Sequence, residues 1–148
     1  MRYALTTSSA FWAYGSKLKL GDGATPEVFT EIAEVMDITP PALSRDAIEV
    51  SNQQSTNGWR EKIPGWRDGD EVSFNCNWLP QNATQDEVTG LLSTFTDDEL
   101  HNWQILLPDA VTLVAFAGFL TGFEPDLPLE EQGQLAITLT VSGPVTIS

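Results

Sequence analysis

Residues 71–79 run Glu-Val-Ser-Phe-Asn-Cys-Asn-Trp-Leu, and their alternation decides the fold. Val72, Phe74, Cys76 and Trp78 fall on one face; Ser73, Asn75 and Asn77 fall on the other. An extended chain sends successive side chains to opposite faces, so this pattern predicts a strand with one face on a core and one polar face. Gln134–Ser142 repeats it, with Leu135, Ile137, Leu139 and Val141 inward and Thr138 and Thr140 outward. Leu100–Leu107 places Trp103, Ile105 and Leu107 together, and Lys17–Leu20 is a short strand before the turn Gly21-Asp22-Gly23. Arg45–Gln54 also alternates: Ile48, Val50 and Asn52 oppose Glu49, Ser51 and Gln53. Val111–Phe123 is apolar on both faces, which predicts a central strand or one covered by another chain.

Two segments depart from this pattern. Phe29–Ile38 reads as extended, although Val28, Ile32, Val35 and Met36 also fit a short helix started by Thr25-Pro26. Pro40-Pro41 stops either element. Thr84-Gln85-Asp86-Glu87 has the form of a capping box, and Val88, Leu91, Leu92 and Phe95 follow at i, i+3, i+4 and i+7. That predicts one helix over residues 84–96. The sum is a mainly β protein, a β-sandwich or open barrel of six to seven strands with one flanking α-helix. An N-terminal arm would cover residues 1–16, the domain residues 17–143 with a long loop at 55–70, and a C-terminal tail residues 144–148.

The composition bounds what such a domain can do. The chain has 148 residues, enough for one domain with its own core. One cysteine excludes a disulfide framework within a chain, and one histidine excludes a site needing two from one subunit. No apolar run approaches the ~20 residues of a membrane helix. The start, Met1-Arg2, lacks a continuous apolar stretch behind it, which predicts a protein made and kept in a reducing cytoplasm, or released by lysis rather than secreted. The net charge of −14 argues against gripping nucleic acid or anionic lipid. That charge is segregated: all seven Lys and Arg lie at or before Arg67, and residues 68–148 carry thirteen acids and no Lys or Arg. A solubility surface would explain this in a monomer, whereas head-to-tail assembly would place a basic patch against an acidic one.

Catalytic constellations lack their parts. His101 stands alone in a strand beside Trp103, and Cys76 falls on an apolar face, where a small buried hydrophobe is the plain reading. A Cys76–His101 dyad exists only on paper. Zinc would need more Cys and His, and neither Asp68-Gly69-Asp70-Glu71 nor Asp97-Asp98-Glu99 has the ligand spacing of a calcium loop. No catalytic residue, metal or cofactor is expected. The better lead is the segment 55–70, which holds Trp59, Arg60, Lys62, Trp66 and Arg67 with three turn signals. Long loops tend to be functional, and Trp and Arg are enriched at binding hot spots. Phe11 and Trp12 in the arm likewise call for a covering surface.

The runs GDGATPEVFTEIAEVMDITPP, SRDAIEVSNQQSTNGWREKIPGWRDGDEVSF and FLTGFEPDLPLEEQGQLAITLTVSGPVTI together resemble the major tail tube proteins of long, non-contractile-tailed bacteriophages. The resemblance covers nearly the whole chain, and its most specific part is GWREKIPGWRDGDEVSF. It implies a β-sandwich subunit, six copies to a ring, and rings stacked into a virion tube through which DNA passes without specific binding. Partners would be further copies, the baseplate or tip, the tail terminator and the tape measure. It also implies subunit and ring contacts by the long loop and the arm, carried here onto Trp59, Arg60, Lys62, Trp66 and Arg67, and onto Phe11 and Trp12. A conduit for DNA should lack a basic wall, since Lys or Arg would hold the phosphates. Glu49, Ser51, Gln53, Ser73, Asn75 and Asn77 are therefore expected to face the channel. The reading set against all this is a small-ligand or carbohydrate-binding β-sandwich that uses exposed Trp residues as stacking platforms.

Overall fold

The computed structural model describes residues 8–148. The chain forms β1 (Lys17–Gly21), β2 (Phe29–Glu31), β3 (Val35–Thr39), β4 (Ser44–Glu49), β5 (Lys62–Asp68), β6 (Glu71–Asn77), α1 (Leu91–Thr96), β7 (His101–Leu106), β8 (Leu113–Asp126), β9 (Gln134–Val141) and β10 (Thr146–Ile147). The mainly β class holds, with ten strands where six or seven were expected. Eight of them make one antiparallel sheet in the order β2-β1-β7-β8-β9-β6-β3, with β10 beside β8; β4 and β5 form a separate two-stranded sheet.

The large sheet curls upon itself. Its two end strands, β2 and β3, are consecutive in the chain and separated only by Ile32, Ala33 and Glu34. At that corner the Ile32 N–H donates to the Leu18 carbonyl (2.9 Å), and the Asn77 N–H donates to the Glu34 carbonyl (3.1 Å). The three residues thus bridge the β1 edge to the β6 edge, and Glu34 takes a left-handed φ of 52° to make the bend. Phe29–Ile38 is therefore extended, as expected, but as two strands with a corner rather than one. The concave face gathers Leu18, Ile32, Phe74, Trp103, Ile105, Phe116, Leu135, Ile137 and Leu139 into a single core. Each such side chain contributes about 1.5–3 kcal/mol by leaving water. β8 is central, between β7 and β9, as its two apolar faces led one to expect: Val114, Phe116 and Leu120 are buried, Ala115, Ala117 and Phe119 line the other face, and the register shifts between Leu120 and Gly122.

The helix is much shorter than the capping pattern suggests. It begins at Leu91, with Gly90 as its N-cap, and residues 82–90 form turns. Thr84 does not cap it: its hydroxyl accepts the Ala33 N–H (3.1 Å) and donates to Asn82 Oδ1 (2.7 Å). Asp86 Oδ1 accepts from the N–H groups of Thr89 (2.9 Å), Gly90 (3.1 Å) and Val88 (3.2 Å), fixing a turn where a helix would need those groups free. Gln85 is buried and spans three backbones: it accepts from the Leu79 N–H and donates to the carbonyls of Asn77 and Ala33. A side chain at Gly90 would collide with the backbone of Gln85 and Asp86. Only Leu91 of the expected stripe is fully buried; Val88 and Phe95 are exposed.

Candidate functional site

The segment 55–70 is not a loop. Thr56–Gly58 makes one 3-10 turn, and Lys62–Asp68 is β5, paired with β4 through Ser44↔Asp68, Arg45↔Arg67, Ala47↔Pro64, Ile48↔Ile63 and Glu49↔Lys62. The turn-rich composition concealed the strand because Pro64 and Gly65 lie within it. The connection at its tip is tied internally. Val50 N–H donates to the Glu61 carbonyl (2.9 Å), Glu61 N–H donates to Ser51 Oγ (2.8 Å), and the Ser55 hydroxyl donates to the Glu61 carboxylate (3.0 Å).

Every residue of β4 is exposed, as is all of β5 except Gly65. Trp59 is 75% and Trp66 84% exposed, and Arg60, Lys62 and Arg67 are exposed with them. The hairpin therefore unites all five residues singled out in this segment on an element that packs little of itself against its own domain. Arg45–Gln54 belongs to it as well, so Ile48 and Val50 face solvent rather than the core.

Phe11 and Trp12 are also exposed, with Trp12 stacked on Tyr14 at a ring separation of 5.0 Å. The first seven residues of the expected arm lie outside the described residues.

The six expected wall residues stand on two different sheets. Glu49 lies in β4, with Ser51 and Gln53 beyond it at the hairpin tip, while Ser73, Asn75 and Asn77 lie on the convex face of β6. Register extends the second set across three strands. Ser73 faces Thr138, and Thr138 faces Gly122; Asn75 faces Ala136, and Ala136 faces Glu124; Glu71 faces Thr140. Apart from Gly122, Ala136 and the half-exposed Phe119, which faces Thr140, this surface of β6, β9 and β8 is hydroxyl, amide and carboxylate, without a Lys or Arg. Thr138 and Thr140 were legible as outward residues, but nothing in the sequence joined them to β6. Also unsignalled was the tip between β8 and β9, where Leu127 and Leu129 project among Glu124, Asp126, Glu130 and Glu131, with Leu129 99% exposed.

The reactive side chains do not converge. Cys76 sits on β6 and His101 on β7, with β9 and β8 between them. Burial, helped by the Glu34 carboxylate, pushes the Cys76 thiol up to about 11, so the thiolate is suppressed. His101 Nε2 lies 2.8 Å from Asp97 Oδ2. No group of three metal-ligating side chains occurs among the described residues.

A family model described as "Lambda phage tail tube protein, TTP" matches residues 12–148. Among solved structures, a chain from the virion of a native gene transfer agent particle superposes with a TM-score of 0.72 at 19% identity, covering 94% of this chain and 99% of that one. A chain from the tail of an empty particle of that agent, solved with C6 symmetry, gives 0.67 at 19% identity over 88% and 95%. The SPP1 tail tube gives 0.64 at 15% identity over 89% and 75%. No curated protein sequence matches the chain.

Proposed function

The chain belongs to the lambda phage tail tube protein family, and from that premise we propose that copies of it close into hexameric rings that stack into a hollow tail. It is a structural protein of the virion tail and performs no catalysis. The observation that carries the assembly is the β4–β5 hairpin. A two-stranded sheet alone is marginal in water, and this one holds Ile48, Ile63, Trp59 and Trp66 out in solvent. Large aromatic and aliphatic side chains on a protruding element are what a partner surface covers. The sixfold ring is carried from the C6 tail that the chain resembles. The first partner is thus another copy, met through the hairpin and the aromatic arm. The baseplate or tip, terminator and tape measure proteins would meet the same surfaces at the tube ends and bore.

The bore follows from charge. DNA presents one charge per about 1.7 Å of axis, and a cation-free wall lets it slide. The convex face of β6, β9 and β8 supplies such a wall through Ser73, Asn75, Asn77, Thr138 and Thr140, with Glu49, Ser51 and Gln53 continuing it from the hairpin.

Electron microscopy of the purified protein tests the reading. Hollow sixfold rods are expected, and Trp66→Ala should abolish them while leaving a folded monomer. A chain that stays monomeric at high concentration and binds a sugar through Trp59 or Trp66 would overturn it in favour of a carbohydrate-binding module.

A further inference from the structure

The root of the hairpin holds an unusual juxtaposition. Arg45 and Arg67 are direct cross-strand partners, an arrangement that disfavours an isolated pair of strands. Neither has a carboxylate within ion-pair distance: among the described residues the ion pairs are Lys17–Glu31 and His101–Asp97. Asp68, the nearest acid along β5, turns its Oδ1 to the Asp70 N–H at 2.8 Å. Arg45 and Arg67 border a groove of about 410 Å³ whose remaining wall is Leu43, Pro144 and Val145, with Ser44, Asp68 and two glycines between them. The groove is fixed to the core, because Gly69 lies against the end of β9. A Cβ there would stand 2.6 Å from Val141 Cγ1 and 3.0 Å from Val145 Cγ2.

At the other end of β9 lies the complementary surface. Residues 124–131 carry Glu124, Asp126, Glu130 and Glu131 with no cation, and Leu127 and Leu129 extend between them. β9 runs from Gln134, beside this tip, to Val141, beside the groove, a span of roughly 25 Å for eight extended residues. One end of the strand therefore shows two cations without an ion pair around a mainly apolar groove, whose one carboxylate, Asp68, accepts the Asp70 N–H. The other shows two unburied leucines among carboxylates. Because they lie at opposite ends, a subunit cannot satisfy its own groove.

We propose that the acidic, leucine-bearing tip between β8 and β9 of one copy seats in the Arg45/Arg67 groove of the next, so that subunits join head to tail along β9. Leu129 enters against Leu43 and Val145, and Glu130 and Glu131 meet the two guanidinium groups, which can take carboxylates through paired hydrogen bonds. Contact between unlike surfaces repeats from copy to copy. It also gives the segregation of cations before Arg67 and acids after it a use. The proposal rests on the self-assembly reading and names a contact within it.

The test is a charge exchange between copies, scored by sedimentation and electron microscopy. Arg45→Glu with Arg67→Glu should abolish polymer, as should Glu130→Arg with Glu131→Arg. Mixing the two variants should restore it, since each then meets a matching surface. Wild-type polymer with unaffected charge variants, or folded variants that fail to rescue each other, overturns this contact alone. A wild-type chain that never polymerises overturns the assembly reading itself. Should the arginine variant fail to fold, Leu43→Cys with Leu129→Cys, both at exposed positions, keeps the contact testable. Oxidation should give ladders of disulfide-linked copies, and monomer only would refute the seating.

Discussion

β6 and β4 are written in the same pattern and end in opposite places. Val72, Phe74 and Cys76 of β6 are buried, whereas every residue of β4 is exposed. The difference lies in the neighbours. β6 lies between β9 and β3 in a sheet that curls over a core, while β4 has β5 alone. Period-two alternation states which side chains share a face. It does not state which chain covers that face. A strand finished by its own domain and a strand finished by another copy look alike until topology separates them.

The hardest blow to the covered region is Trp103→Ala. Trp103 is 0% exposed, and its indole N–H donates to the Gly118 carbonyl at 3.3 Å. Truncation should cost about 3–5 kcal/mol, a large part of the roughly 5–15 kcal/mol that holds a domain. Urea titration should show a mostly unfolded or barely folded monomer. An unchanged midpoint would mean that the concave face is not the core. Next comes Gln85→Ala. It removes the partner of the Leu79 N–H and of the Asn77 and Ala33 carbonyls; because these groups are only part-buried, water replaces some of what is lost, and the total cost should be about 1–3 kcal/mol. Thermal unfolding should register a clear fall in Tm, smaller than that of Trp103→Ala.

What could be read beforehand follows the same division. β1, β6, β7 and β9 were legible because their partners lie within the chain and their inward residues are large. The helix was misplaced because Thr84, Gln85 and Asp86 serve long-range and turn hydrogen bonds that a capping pattern mimics. Thr84 and Gln85 both bind Ala33, some fifty residues away. β5 reads as a loop in the sequence because Pro64 and Gly65 punctuate a strand that needs only one neighbour. For the candidate site, the identity of Trp59, Trp66 and the basic residues was visible, and their being one hairpin was not. The acidic tip and the Arg45↔Arg67 pairing were invisible in principle, since both depend on register and on which end of β9 each segment reaches.

A smaller effect concerns pH and the turns that join the covered strands. Asp86 is held below its ordinary value of 3.8, chiefly by the Thr89 N–H, Asp109 by the Thr112 hydroxyl and N–H, and Asp22 by the N–H groups of Ala24 and Val28. A carboxylate depressed on folding adds stability that is complete above its unfolded value and fades as pH falls through the folded one. Thermal stability of the monomer should therefore be level from pH 7 to about 5, and it should decline once pH drops below 3.8. Asp86→Asn should flatten part of that decline and lower Tm by a few degrees at neutral pH. A decline that begins near pH 6 would place the acid sensitivity elsewhere.

The smallest expected effect is the most telling, because the comparison stands on its being small. Trp59→Ala with Trp66→Ala removes two indoles, the same side chain whose loss at Trp103 should nearly unfold the domain. Both are mostly in solvent already, so little apolar area is returned to water and no cavity opens. The monomer's unfolding free energy should shift by no more than about 0.5 kcal/mol, the range for surface changes away from special features. The same variant should fail to polymerise. Equal loss of stability from Trp66 and Trp103 would show that the hairpin folds back on its own domain. Retained stability with retained polymer would leave the hairpin without a partner to cover it. Only the split outcome, a monomer indifferent to the loss and an assembly that needs both rings, matches a strand pair built to be finished by another copy.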